Sequence, residues 1–114
     1  MKPIPKKLLI HDVMYHRQIK AQDFYEESTL DPGTPISFIR MEPMTKVIRD
    51  KNRAEVQLSA VLFYDCKNSR PKGIKFETDD VIVFNGEFHK IQIIEPLYDS
   101  KRLHHYELGL IKHA

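Results

Sequence analysis

The dipeptide Asn85-Gly86 lies between two apolar segments, residues 80–84 and 87–94, and it constrains the fold more than any other feature. A type I′ turn requires positive φ at both central residues, a conformation that asparagine and glycine tolerate better than other residues. Both segments are rich in the β-branched and aromatic residues that favour strands. The pattern therefore predicts an antiparallel hairpin closed by a two-residue turn.

A two-residue turn also fixes the register of this hairpin. Two cross-strand pairs are expected, Val83 with Phe88 and Ile82 with His89. Because side chains alternate between the faces of a strand, one face of the hairpin is predicted to carry a row of apolar side chains. These are Ile82, Phe84, Ile91 and Ile93.

Apolar patterning predicts further strands elsewhere in the chain. They cover residues 8–16, 36–42, 56–64 and 103–111. Pro43 is expected to end the second of them, since proline cannot donate a ladder hydrogen bond. About six short strands joined by turns predict an all-β fold, a small antiparallel barrel or sandwich. A length of 114 residues is typical of one domain, so residues 1–114 are expected to form a single domain.

Composition argues against several classes of protein. With 18 Lys and Arg against 16 Asp and Glu, the net charge of +2 is too small to indicate a nucleic-acid binder by itself. Cys66 is the only cysteine, so no internal disulfide can form, which is typical of synthesis in a reducing compartment. No apolar run is long enough for a signal peptide or a membrane span, and we expect a soluble protein without a membrane partner.

The sequence offers little support for catalysis or for a cofactor. His104 and His105 are adjacent, so on a strand we expect them to point to opposite faces and not to share a metal ion. Cys66 would need a neighbouring base to act as a nucleophile, and the chain has no P-loop, Gly-x-Ser-x-Gly or dinucleotide-binding motif. We therefore predict no enzyme activity, no metal site and no cofactor.

Residues 43–55, between the second and third predicted strands, form the most suggestive segment. A polar connection of this length is long for so small a domain, and such loops are often functional or mobile. It carries four basic residues, Lys46, Arg49, Lys51 and Arg53. On composition alone, a solvated hairpin tip is the simpler interpretation. The alternative is a basic loop near phosphate groups or against a neighbouring subunit, and the β-branched Val47 and Ile48 favour a segment that orders beside a partner strand.

Two other charged segments are candidates for partner contacts. The N-terminal arm, residues 1–7, is basic and is kept extended by its prolines, although a frayed terminus is the simpler interpretation. Residues 21–31 are acidic, with no compensating base. The side chains predicted to contact a neighbouring subunit or an adaptor are Lys6, Lys7, Asp23, Glu26 and Glu27.

Several short pieces of the sequence, taken in order, resemble one protein family. They are residues 4–11, residues 61–65 followed by 68–69, residues 83–86, and residues 96–98 ahead of 104–107. In these pieces the chain resembles the minor capsid, or head–tail connector, proteins of tailed phages and prophages of Gram-positive bacteria. The resemblance runs through most of the chain.

The resemblance implies a structural role in the phage neck. Similar proteins are stoppers, or head-completion proteins, which form a ring below the portal-bound adaptor, help to retain packaged DNA and offer a docking surface for the tail. Their fold is a small β-barrel whose long loop, between the second and third strands, projects toward the central channel. By strand order this loop corresponds to residues 43–55. On this basis Lys46, Arg49, Lys51 and Arg53 would meet DNA, and Val47 and Ile48 would make contacts between subunits.

The partners implied are sister copies in a hexameric or dodecameric ring, the portal-associated adaptor, the tail terminator or tail tube, and double-stranded DNA in the channel. The expected location is the virion neck, after synthesis in the bacterial cytoplasm. Two alternatives remain open, a ring protein of the tail-terminator type and a nucleic-acid-binding barrel of the OB or SH3-like kind.

Overall fold

The computed structural model describes residues 2–19, 29–49 and 52–112. A 3-10 helix, Lys6–Leu8, precedes the first strand. The strands are β1 (His11–His16), β2 (Gln18–Ile19), β3 (Thr29–Leu30), β4 (Thr34–Arg49), β5 (Glu55–Asp65), β6 (Val81–Phe84), β7 (Glu87–Asp99) and β8 (Arg102–Lys112). Among the described residues, no helix is long and apolar enough to cross a membrane.

Six of the strands close into an antiparallel barrel in the order β1-β4-β5-β8-β7-β6, while β2 and β3 pair separately. The predicted small antiparallel β-barrel is therefore confirmed. The predicted hairpin is β6–β7, and its register is also as predicted, with Val83 opposite Phe88 and Ile82 opposite His89. Closure leaves each barrel strand paired on both sides over part of its length, which protects those strands from unwanted pairing.

The core fills the barrel with aliphatic side chains from alternate strand positions. Fully buried members include Ile36, Ile39, Leu62, Ile82, Ile91, Leu108 and Leu110. Phe76 comes from the connection between β5 and β6 and packs among three tyrosine rings. Its ring centroid lies 5.2 Å from that of Tyr15, 5.3 Å from Tyr64 and 5.6 Å from Tyr106. The burial of Phe76 was not predicted, because a single aromatic residue in a connection has no periodicity that would indicate it.

The strand ends differ from the predicted ones at two places. β1 begins at His11 rather than at residue 8, because the chain first makes a 3-10 turn in which the Leu8 amide donates to the Pro5 carbonyl. β4 continues through Pro43, which was predicted to end it. The strand tolerates this proline because the pairing with β5 shifts register between Pro43 and Lys46, and a bulge does not need the missing N–H donor.

The prediction that Ile93 shares the inner face with Ile91 is wrong. The pairing of β7 with β8 shifts register between these two residues, so that Ile91 lies opposite Leu110 and Ile93 opposite Gly109. A bulge inserts one residue and reverses the alternation beyond it. As a result Ile94, rather than Ile93, packs against the core.

The prediction that His104 and His105 point to opposite faces is also wrong. A second register shift in β7–β8 falls between Leu97 and Tyr98. Leu97 pairs with His105 and Tyr98 with Leu103, which leaves His104 without a cross-strand partner in the ladder. The Nδ1 atoms of His104 and His105 lie 2.7 Å apart.

Candidate assembly surface

The predicted long loop is for the most part a two-stranded ribbon. Residues 44–49 belong to β4 and residues 55–58 to β5, and we call these two segments the β4–β5 ribbon. The strands therefore extend into residues 43–55, which were predicted as one long polar connection, and this connection keeps its predicted place between the second and third barrel strands. The reason is again the bulge after Pro43, beyond which the strand resumes.

The ribbon extends beyond the strands that flank it in the barrel. Among the described residues, β1 pairs with β4 only as far as Ile39, and β8 pairs with β5 only from Ala60 onward. Each of the two ribbon segments therefore pairs with the other segment along one edge and has no described strand along its outer edge. Both outer edges of the ribbon present backbone N–H and C=O groups that a further strand is able to bind.

The two faces of the ribbon differ in polarity. Cross-strand partners share a face, so Ile48 and Val56 lie on one face with the pair formed by Lys46 and Leu58. Leu58 is buried and Ile48 and Val56 are half-buried, so this face points toward the barrel wall. The other face is exposed throughout and carries Val47, Arg49, Glu55 and Gln57.

Gly109 on β8 provides the place where the base of the ribbon packs on the barrel wall. A Cβ atom at this position would lie 2.5 Å from Ile93 Cγ2 and 3.0 Å from Leu58 Cδ1. Leu58 packs directly over the backbone of Gly109, where a residue with a side chain would clash with it. Nearer its tip the ribbon separates from the wall, and an open cleft of about 600 Å³ lies between Ile48, Arg49 and Asn52 on one side and Asp79, Ile93 and Ile94 on the other.

The exposed part of the ribbon is basic. Lys46, Arg49 and Arg53 are all exposed, and the only acidic side chain among the described ribbon residues is Glu55, directly opposite Arg49. Lys51 lies outside the described residues. Val47 lies among these charges with 58% of its side chain exposed. Of the six residues predicted for the loop, Lys46, Val47, Ile48 and Arg49 lie on the β4 strand of the ribbon, and Arg53 lies in the connection between its two strands.

The N-terminal segment is fixed to the barrel by hydrogen bonds. The Ile4 amide donates to Asp65 Oδ1 over 3.0 Å, and Asn68 Nδ2 donates to the Ile4 carbonyl over 2.8 Å. Asp65 is fully buried, and its Oδ2 accepts from the amides of Lys67 and Asn68. Residues 2–8 are therefore held in place rather than frayed.

Lys6 and Lys7, predicted as partner contacts, lie in the 3-10 helix of this segment and are exposed. The Lys6 ammonium lies 5.2 Å from the centroid of the Phe38 ring, itself 42% exposed. The other predicted contacts, Asp23, Glu26 and Glu27, lie outside the described residues. Beside them Asp31 Oδ1 accepts from the amides of Arg17 and Gly33 at 3.0 Å, so the described end of the acidic segment is ordered.

The thiol of Cys66, the residue considered as a nucleophile, lies in a setting that does not activate it. Burial raises the pKa of the Cys66 thiol, and the neighbouring Asp65 carboxylate raises it further. A thiol in this setting stays protonated at neutral pH and is a poor nucleophile. Among the described residues, no group of three or more His, Cys, Asp and Glu is arranged to hold a metal ion.

The described residues thus form a closed six-stranded barrel from which a basic two-stranded ribbon extends. The model of one family, described as Minor capsid protein, matches residues 5–110. The chain therefore belongs to the minor capsid protein family, whose members are structural proteins of phages, and it is a component of the virion. No curated protein and no solved structure matches the chain.

Proposed function

We propose that this chain is the stopper of the phage neck, a ring below the portal-bound adaptor that helps to retain packaged DNA and presents a docking surface to the tail. The observation that carries the proposal is the β4–β5 ribbon, which extends from the closed barrel with two edges that no other described strand pairs and with exposed basic side chains. Membership of a minor capsid family supports the structural role.

The open edges of the ribbon favour assembly with sister copies. A two-stranded hairpin is marginally stable alone, and a third strand adds both hydrogen bonds and packing. In a cyclic ring the β4 edge of one ribbon (residues 44–49) faces the β5 edge of the next (residues 55–58). The open backbone N–H and C=O groups of every copy then form hydrogen bonds with a neighbouring copy. The exposed Val47 would then be covered by the adjacent ribbon.

The charge of the ribbon favours contact with DNA. Lys46, Arg49 and Arg53 are exposed on each copy, and a ring multiplies this charge by the number of its subunits. Duplex DNA carries about one phosphate charge per 1.7 Å of its axis, so several ribbons around one duplex meet phosphates in every register. This contact needs no base sequence, as packaged DNA requires.

The remaining surfaces are assigned to the other neck components. Lys6 and Lys7 are exposed on an N-terminal segment that is already ordered, so a partner that binds them orders little further chain. The acidic residues Asp23, Glu26 and Glu27 supply charge of the opposite sign. We assign these two groups to contacts with neighbouring subunits and with the portal-associated adaptor, and the opposite side of the ring to the tail.

The test removes the outer part of the ribbon and leaves its base and the barrel intact. Residues 48–56 are replaced by Asn-Gly, so that Val47 and Gln57, which are cross-strand partners, flank a two-residue turn and Leu58 keeps its contact with the wall. We expect the purified variant to stay folded, and phages that carry it to yield heads whose DNA leaks and becomes sensitive to nuclease. Heads that keep their DNA as well as wild-type heads would contradict the proposal.

A charge-reversal pair separates the effect of charge from that of chain removal. The variant Lys46→Glu/Arg49→Glu keeps the ribbon and reverses two of its charges, whereas Lys72→Glu/Lys75→Glu makes the same change on the exposed connection between β5 and β6. We expect DNA loss from the first variant only. Equal retention by both would remove DNA contact from the proposed function.

A further inference from the structure

Three apolar side chains, Leu8, Ile10 and Phe38, form an exposed patch where the N-terminal segment lies against β4. Leu8 is 44% exposed, Ile10 64% and Phe38 42%. The Lys6 ammonium lies over the Phe38 ring, and the Arg40 guanidinium donates to the Leu8 carbonyl over 3.2 Å. Ile10 directly precedes β1, which pairs with β4. We call these three side chains the Phe38 patch.

The backbone of Phe38 is held in a conformation that a bulky residue rarely adopts. Its φ is 57°, in the left-handed region where every residue with a side chain is strained. The Ser37 amide donates to the Arg70 carbonyl over 2.8 Å, and the Arg70 amide donates to the Ser37 carbonyl over 3.0 Å. The hydroxyl of the buried Ser69 donates to the Phe38 carbonyl. Hydrogen bonds on both sides of the Phe38 Cα atom therefore fix the strained conformation.

Burial in the core does not account for a phenylalanine at this strained position, because the Phe38 ring is nearly half exposed. Glycine would adopt the same φ without strain. Residues held in such conformations cluster at binding sites, where the surrounding structure fixes a side chain for a partner. Aromatic side chains are also enriched among the residues that contribute most to protein interfaces. These features are typical of a docking surface.

The charges around the Phe38 patch define what it binds. Four exposed basic side chains surround it, those of Lys6, Lys7, Lys67 and Arg70. On the facing strand β1, Asp12 is exposed and acidic, while Arg40 and Glu42 pair with each other. The surroundings are therefore basic on balance, and a complementary partner carries apolar side chains among carboxylates.

The chain itself carries a segment with this chemistry. β2 and β3 pair with each other rather than with a barrel strand, and they expose Ile19 and Leu30. Residues 20–28, which connect these two strands, lie outside the described residues. Their sequence places Phe24 and Tyr25 among three acidic residues, Asp23, Glu26 and Glu27, against one base, Lys20. We call residues 18–30 the acidic arm.

We propose that the Phe38 patch of one copy binds the acidic arm of the adjacent copy, with Phe24 and Tyr25 against the patch and the carboxylates facing Lys6 and Lys7. The inference rests on the proposed ring and names a contact between its subunits apart from the ribbon. Patch and arm are different surfaces of one chain, so every copy offers both, and such a head-to-tail contact is able to close into a ring. Contact between two Phe38 patches would instead bring like charges together.

Two charge-reversal variants of the full chain test the contact by sedimentation velocity at low ionic strength, where surface charges are least screened. One variant reverses the patch, Lys6→Glu/Lys7→Glu, and the other reverses the arm, Glu26→Lys/Glu27→Lys. We expect the wild-type chain to self-associate and each variant alone to associate at least about tenfold more weakly, because like charges then meet. An equimolar mixture of the two variants should associate like the wild-type chain, because the arm of each variant matches the patch of the other.

The mixture also distinguishes contact between copies from contact within one chain. If the arm bound the patch of its own chain, mixing the two variants would change nothing. A mixture that stays as dissociated as its components, or a wild-type chain that stays monomeric at every concentration, would overturn the proposal. DNA is absent from this measurement, so its outcome is independent of the DNA retention that tests the stopper function.

The role of the aromatic ring is tested with a matched pair of variants. Phe38→Gly removes the ring at a φ that glycine adopts without strain, so this variant should stay folded. Phe88→Ala removes a ring that is 44% exposed on β7, outside the patch. We expect weaker self-association of Phe38→Gly and wild-type association of Phe88→Ala. Association of Phe38→Gly as strong as that of the wild-type chain, or equal weakening in both variants, would overturn the proposal.

Discussion

At the scale of single residues, Gly109 determines how closely the ribbon packs on the barrel. The substitution Gly109→Ala places a methyl group 2.5 Å from Ile93 Cγ2, which forces β7, β8 or Leu58 to move. We expect the free energy of unfolding to fall by about 1–3 kcal/mol, as for other overpacked sites, in a denaturant titration.

A double variant shows whether this loss comes from overpacking. Adding Ile93→Ala removes the side chain that the new methyl group meets, so Gly109→Ala should cost less in the Ile93→Ala background than in the wild-type protein. An unchanged cost in both backgrounds, or a stable single variant, would show that the wall has room at this position.

His89 gives the stability of the protein a dependence on pH. Burial lowers the pKa of this histidine, and its buried Nδ1 atom has no hydrogen-bond partner among the residues that the structure describes. In the unfolded chain a histidine has a pKa of about 6.5, so the unfolded chain binds a proton at His89 more tightly than the folded chain does. Stability contributed by neutral His89 is complete above this pH and falls as the pH drops through it.

The measurement compares the free energy of unfolding at about pH 7.5 and about pH 5.5, on either side of the ordinary histidine pKa. The loss of stability on acidification should be smaller in His89→Gln than in the wild-type protein. Because only the difference between the two pH values is read, a general destabilisation by the substitution does not affect the result. Equal losses in the two proteins would contradict this assignment.

At the scale of the elements, features set by local chemistry were predictable from sequence. The β6–β7 hairpin was predicted with its register because Asn85-Gly86 fixes the turn and the turn fixes the pairing. The basic, exposed character of Lys46 and Arg49 was also readable, since charge is a property of sequence.

Features set by bulges and by distant contacts were not predictable. A bulge adds one residue to a strand and cannot be recognised from the apolar pattern of the sequence. Three features that depend on bulges were therefore missed. They are the outward orientation of Ile93, the contact between His104 and His105, and the continuation of β4 past Pro43. The anchor between Ile4 and Asp65 joins residues 61 positions apart. Neither segment has a local sequence pattern that would predict contact with the other.

At the scale of the whole molecule, a closed barrel carries a ribbon whose outer edges are open among the described residues. The barrel closes through hydrogen bonds within one chain, whereas the ribbon leaves edges that a sister copy is able to pair. Packing of Leu58 on the wall sets the direction in which the ribbon leaves the barrel. A fixed direction with open edges suits a closed ring, in which every copy presents the same two edges to its neighbours.

Electron cryomicroscopy of the neck of intact phage particles tests this account most directly. We predict a ring of this chain directly below the portal-bound adaptor, with the β4–β5 ribbons directed at the channel axis and Val47 covered by the adjacent copy. A ring located at the start of the tail tube would instead assign the chain to the tail-terminator class. Ribbons that point away from the channel, or a chain located outside the neck, would contradict the account.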